Sequence, residues 1–115
     1  MTGKNELALL QGTLDLLVLK ALEGGAQHGY GVARWVRERT GGTIGIEDGA
    51  LYTSLHRLER RGWVAAEWGV SANNRKAKYY ELTRSGRRRL AAEVKAWTRY
   101  AEAVFSVVRS NEAAS

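Results

Sequence analysis

Cysteine and proline are both absent from the 115 residues. Without thiols the chain can form neither a disulfide nor a thiolate metal site, and a cysteine-free chain suits a reducing cytoplasm. Without proline no helix is broken from within, and tight turns fall to glycine. Long hydrophobic runs are missing too. The longest apolar stretch, Leu14 to Leu22, is interrupted by Asp15 and Lys20, and a membrane span needs ~20 apolar residues. The opening MTGKNELALLQG lacks the sustained apolar segment of a secretory signal. A cytoplasmic chain with no membrane contact is therefore expected. Metal ligands do not cluster, since the two histidines, His28 and His56, lie far apart in the sequence. Neither a glycine-flanked nucleophile nor a phosphate loop is present. No cofactor, no metal and no enzymatic activity are expected. The length suits one domain, or one domain with an appended element.

Acidic charge is scarce in one region only. The chain carries a formal net charge of +6. Residues 1–47 hold five Lys and Arg against five Asp and Glu, and residues 90–115 hold three against three. Residues 48–89 hold ten against four and so carry the whole excess. A solvated basic face would give the same count, but a local excess of this kind is also the electrostatic footprint of a nucleic-acid binder.

The hydrophobic spacing divides the chain into a short series of elements. Leu14, Leu17, Val18, Ala21 and Leu22 recur at helical intervals after Thr13, a suitable N-cap, and Gly24-Gly25 ends that helix. A second helix is expected from Gly29 to Thr40, with Val32, Ala33 and Val36 inward and Gly41-Gly42 as its stop. Residues 43–46 form an extended link, Asp48 caps a third helix, and Gly62 terminates it. The period then changes to two. Val64, Ala66 and Trp68 alternate, as do Tyr80 and Leu82. The intervening VSANNRKAK reads as a hairpin loop. Thr83 or Ser85 caps a last long helix that runs to about Ser110. Helix, helix, helix, hairpin, helix is the order of a winged helix-turn-helix, a mainly α (α+β) fold. Residues 1–83 would form the winged domain, and residues 84–115 an appended helix with a short tail.

The stretch 48-DGALYTSLHRLERRGW-63 has two chemical faces. Leu51, Leu55 and Leu58 anchor one side, while Tyr52, Thr53, His56, Arg57 and Arg60 lie on the other. A helix that enters the major groove must be apolar beneath and rich in hydrogen-bonding and cationic groups outside. Asn73, Asn74, Arg75 and Lys76 at the hairpin tip, with Lys78 after them, suit backbone or minor-groove contact. At 28-HGY-30 a helix N-terminus could receive a phosphate beside Tyr30. In the last helix Leu90, Val94, Trp97, Ala101, Val104 and Val108 recur at intervals of four and three, the a/d seam of a helix that packs on a second copy. Leu10 and Leu14 near the N-terminus would add to the same interface. A two-fold homodimer would then meet a near-palindromic operator in double-stranded DNA. A winged helix that binds only other proteins is the competing reading.

Taken together, 12-GTLDLLVLKAL-22, 28-HGYGV-32, 49-GALYTSLHRLERRGW-63, 68-WGVSANNRKAKYYELT-83 and 85-SGRRRL-90 resemble the PadR family of bacterial transcriptional regulators, in its compact branch with a single C-terminal helix. The resemblance covers residues 9 to about 108. It implies a homodimeric regulator, usually a repressor. It places DNA contacts on the helix of Tyr52 and on the wing of Asn74, Arg75 and Lys76, and dimerisation on the first and last helices. It also implies a planar aromatic effector, often cationic, stacked on a tryptophan in the position of Trp97, where aromatic–cation attraction would hold it. Two departures stand out: Thr53 replaces a common proline after the LY pair, and Ala26-Gln27 precede HGY where many relatives have proline.

Overall fold

The structure, a computed structural model, describes the backbone of residues 3–111 and the side chains of residues 12–111. Four helices and a small sheet follow in the order α1 (Gly3–Ala21), β1 (Gln27–His28), α2 (Gly29–Arg39), α3 (Asp48–Arg60), β2 (Val64–Val70), β3 (Lys76–Leu82) and α4 (Arg84–Val108). The strands lie antiparallel in the order β1-β3-β2. This is the winged helix-turn-helix.

The first three helices and the hairpin bury the stripes that their sequence prepared. Val18, Leu19 and Ala21 of α1, with Leu22 just after it, meet Val32, Ala33 and Val36 of α2 and Leu51, Leu55 and Leu58 of α3. Val64, Tyr80 and Leu82 close the core from the sheet. Their pairing explains why: Val64 stands opposite Leu82 and Ala66 opposite Tyr80, so one face of the hairpin is apolar. Burying one leucine contributes about 1.5–3 kcal/mol, and α3 alone buries three. α3 thus depends on its neighbours more than on its own helix propensity.

Several boundaries differ from expectation, each for a physical reason. α1 begins at Gly3, so Thr13 lies inside it and not at its start. The strong helix formers of ELALLQ carry the helix upstream, and one glycine at position 12 does not stop it. Glu47, not Asp48, occupies the N-cap of α3 and makes no side-chain capping bond. Asp48 becomes the first helical residue, where its charge still suits the helix dipole. The hairpin loop shrinks to residues 71–75, because alternation continues through Val70 and resumes at Lys76. β1 was not expected at all: two residues are too few to show a period, yet Gln27 and His28 pair with Tyr80 and Tyr79.

α4 is set by one tight junction. Thr83 caps it, its Oγ1 accepting from Gly86 N at 3.0 Å. Thr83 N donates to Trp63 O, and the hydroxyls of Thr83 and Ser85 both donate to Gly62 O. Three bonds therefore join the start of α4 to the chain just beyond α3. Gly86 packs so closely that a Cβ there would lie 1.9 Å from Trp63 O. Leu90, one turn on, is buried in the common core. Leu90 is thus a core residue of its own chain, not the first position of a dimer seam. Beyond it α4 leaves the body, and the molecule is 62 Å long but only 28 Å and 26 Å across.

Gly86→Ala should destabilise the fold by about 1–3 kcal/mol or more, since backbone must move to admit the methyl group. Gly49→Ala, on a helix and with nothing within 4 Å of the added carbon, should stabilise it by roughly 0.5–1 kcal/mol. Urea unfolding of the two variants beside the parent protein measures both.

Candidate nucleic-acid interface

α3 presents Tyr52, Thr53, His56 and Arg60 to solvent while Leu51, Ser54, Leu55 and Leu58 are buried. A polar clamp fixes this orientation. Asp15 of α1 accepts from Ser54 Oγ at 2.7 Å, from Arg57 Nε at 2.9 Å and from Arg57 Nη2 at 2.6 Å. The hydrogen bond to Asp15, reinforced by its charge against the cost of burial, pushes the Arg57 guanidinium further up from its usual value. Arg57 was expected to face DNA. It instead reaches back across α1, because its long stem lets the guanidinium satisfy a carboxylate that is itself mostly covered.

Tyr52 has two roles at once. Its ring lies against Gly29 at the start of α2, with the hydroxyl 2.8 Å from where a Gly29 Cβ would stand. It nevertheless remains 42% exposed. Next to it His28 caps α2, Nδ1 accepting from Gly31 N at 3.0 Å. The His28 ring lies 6.3 Å from that of Tyr30 and meets Tyr79 edge-on at 5.7 Å. Tyr30 projects outward, 65% exposed. One of the N–H groups that could receive a phosphate at this helix start is therefore already held by His28.

The wing is ordered from within. Ser71 N donates to Arg75 O at 2.7 Å, Asn74 N donates to Ser71 O, and Ser71 Oγ donates to Asn73 Oδ1 at 2.6 Å. Asn74 takes φ 61°, a left-handed conformation that asparagine tolerates. Asn73 is thus tied to Ser71, and it is exposed like Asn74, Arg75 and Lys76. Lys76 lies 5.4 Å from the Trp68 ring centre. Lys78 sits 4.0 Å from Glu59 of α3 and 5.7 Å from the Tyr80 ring. It couples wing to helix as much as it offers charge to a ligand. Burial, with the Glu59 carboxylate and then Tyr52 nearby, pushes the Tyr80 phenol above its ordinary value. Trp68, 61% exposed on the part of the wing beyond the body, was missed by sequence reasoning. Its alternation with Val64 and Ala66 assigned it to the apolar face, but only the base of the hairpin is covered.

The expected dimer residues divide. Val94, Trp97, Val104 and Val108 of α4 are exposed, Ala101 is half-buried, and Trp97 stands 6.5 Å from the Tyr100 ring. Leu14 is half-buried beside Leu17, Ile44 and Ile46, which line an open apolar groove between α1 and α3. The side chain of Leu10 lies outside the described residues. Among the described residues no group of His, Asp or Glu could hold a metal, and no helix is long and apolar enough to cross a membrane.

Residues 18–92 match the family described as transcriptional regulator PadR-like. The chain is 28% identical over 96 residues to an uncharacterized protein of Lysinibacillus sphaericus, covering 84% of this chain and 88% of that one. A PadR family regulator from Eggerthella lenta shares 30% identity, with TM-score 0.74, over 96% of this chain and 94% of its own. A transcriptional regulator from Clostridium thermocellum, 22% identical, superposes with TM-score 0.77 over 86% and 93% of the two chains, a likeness of fold.

Asp15→Ala should leave a mostly buried guanidinium and the Ser54 hydroxyl without partners. The expected loss is on the order of 2–3 kcal/mol, below the 3–5 kcal/mol of a fully buried pair. Chemical denaturation of this variant against Arg57→Ala and the double variant measures the coupling, which should exceed about 1 kcal/mol for groups in one network.

Proposed function

The chain belongs to the PadR-like family of transcriptional regulators, and from that premise we propose that it is a DNA-binding repressor that acts as a homodimer on a near-palindromic operator. The observation that carries the reading is the outward row Tyr52, Thr53 and His56 on a helix whose opposite side is pinned by leucines and by Asp15. Those side chains lie on the N-terminal half of α3, where base contacts of helix-turn-helix proteins concentrate. Asn74, Arg75 and Lys76 at the wing tip would hold phosphates and set register rather than sequence. Tyr30 would hold phosphates in the same way, and Lys78 would contribute less because Glu59 shares its charge.

The second copy is supported by what α4 leaves uncovered. Among the described residues nothing buries the seam of Val94, Trp97, Val104 and Val108, and Ala101 is only half-buried. Such a stripe on a helix that departs from its own body is the surface of a two-helix contact. The exposed Trp97–Tyr100 pair would give a planar cationic aromatic molecule two ring faces at that contact. Release of DNA by such an effector completes the proposed cycle.

The division of labour on DNA is testable by fluorescence anisotropy on specific and random duplexes. Tyr52→Ala should lower affinity for the operator more than for random DNA, whereas Lys76→Ala should weaken both alike. Equal losses on both duplexes for both variants would contradict the assignment. For the dimer, Val104→Glu places a charge on a residue that is solvent-exposed in the single chain. Sedimentation should show a folded monomer, with operator affinity reduced more than tenfold because two half-sites are no longer bound together. A Val104→Glu dimer of unchanged affinity would rule out the seam.

A further inference from the structure

The basic charge of this chain is not where the reading helix and the wing would put it. Residues 48–83, which carry both, hold six Lys and Arg against four Asp and Glu. Within them Arg57 is paired with Asp15, and Lys78 lies beside Glu59. Residues 84–89 hold four arginines and no acid. Two thirds of the net charge thus sits on the first two turns of α4, which neither contact uses.

Helix physics opposes that placement. A helix N-terminus carries the positive end of the dipole and favours acidic residues, yet α4 has none in its first turn. The side chains of Arg84, Arg87 and Arg88 are exposed and make no ion pair or hydrogen bond among the described residues. Arg89 differs: it pairs with Glu93 and lies 4.6 Å from the Trp63 ring centre, with Arg61 5.3 Å from the same ring. The bonds of Thr83 and Ser85 to Gly62 and Trp63 hold this turn against the end of α3. Exposed Arg60 and Arg61 at the end of α3 therefore stand beside the turn of α4 that carries exposed Arg84 and Arg88, while Arg87 lies on the flank toward Lys20 and Glu23. Tyr52, His56 and Arg60 follow each other at intervals of four, so the junction continues the outward row of α3. All four of these cations are arginine, whose paired N–H donors match phosphate oxygens.

We propose that this α3–α4 junction is a second DNA-contact surface, which holds the phosphate backbone flanking the half-site that α3 reads. The proposal rests on the DNA-binding reading above. Continuity with the outward row favours the duplex over an acidic protein. It predicts that affinity depends on DNA beyond the read bases.

The test compares a duplex trimmed to the operator with one extended by about one helical turn, ~10 base pairs, at each end. The parent protein should bind the longer duplex more tightly and with a steeper salt dependence. Arg84→Gln/Arg88→Gln should bind the trimmed duplex as the parent does, yet gain nothing from the flanks. With about 0.9 in slope for each phosphate contact, the loss of affinity between 50 and 200 mM salt should shrink roughly tenfold on the long duplex. Both exchanges lie on the surface and remove cations from a helix N-terminus, so thermal unfolding should be unchanged or slightly later, which separates contact from folding. A double variant that still gains from the flanks overturns the proposal, as does a parent protein indifferent to length. The second result leaves the DNA-binding reading standing, whereas no duplex binding at either length removes both. Loss of an acidic protein partner with DNA binding intact would assign the surface to that partner instead.

Discussion

The Asp15 carboxylate is the constraint on which the reading surface depends. Apolar burial is strong but has no direction. Leu51, Leu55 and Leu58 are similar knobs at helical spacing, and a helix held by them alone could slide or roll with little change in area. The clamp from Asp15 to Ser54 and Arg57 admits one position. A bidentate carboxylate–guanidinium pair has fixed geometry, and a third bond to a fully buried hydroxyl removes the remaining freedom. Once α3 is fixed about its axis, Tyr52, Thr53 and His56 have a fixed outlook. Gly29 then matters because its missing side chain is the space in which the Tyr52 ring rests.

The second constraint acts at the other end of α3. Gly62 and Trp63 offer their carbonyls, Thr83 and Ser85 satisfy them, and Gly86 lets the backbones approach. These bonds join the end of the reading helix to the start of the longest one. Their effect is to make α4 a continuation of the core for two turns, through Leu90, before it becomes a free-standing arm. Lys78 and Glu59 add a weaker tie between wing and α3 at 4.0 Å, partly exposed and so of small energetic weight.

What could be read from the sequence was what repeats locally. α2 and α3 carry regular apolar spacing with glycines behind them, and the hairpin carries alternation on both sides of a polar turn. Thr83 was legible as a cap because a hydroxyl residue preceded a long periodic run. What escaped depended on partners far along the chain. Arg57 lies next to outward residues, and only the fold shows that Asp15, 42 residues earlier, draws it in. Leu90 keeps perfect seam spacing, but the tight junction at Gly86 directs that first position into its own core. Trp68 obeys the alternation of β2, yet the body ends before it. β1 is created by its neighbour β3 and has no pattern of its own.

The two constraints together determine what a dimer of this chain could do. In the proposed pair, the seam of α4 fixes one arm against the other. Each arm is joined to its α3 by the bonds at Gly62 and Trp63, with no flexible linker between them, since Thr83 alone separates β3 from α4. The distance between two reading helices is then a property of the α4 crossing, and half-sites must lie about 34–36 Å apart, or a multiple of that, to be read together. A molecule inserted beside Trp97 would change the crossing, and the rigid junction would carry the change to the reading helices. Sensitivity to an effector at the seam thus needs no flexibility in the reading domain. It needs the domain to be stiff, and the Asp15 clamp and the Gly86 junction are where that stiffness comes from.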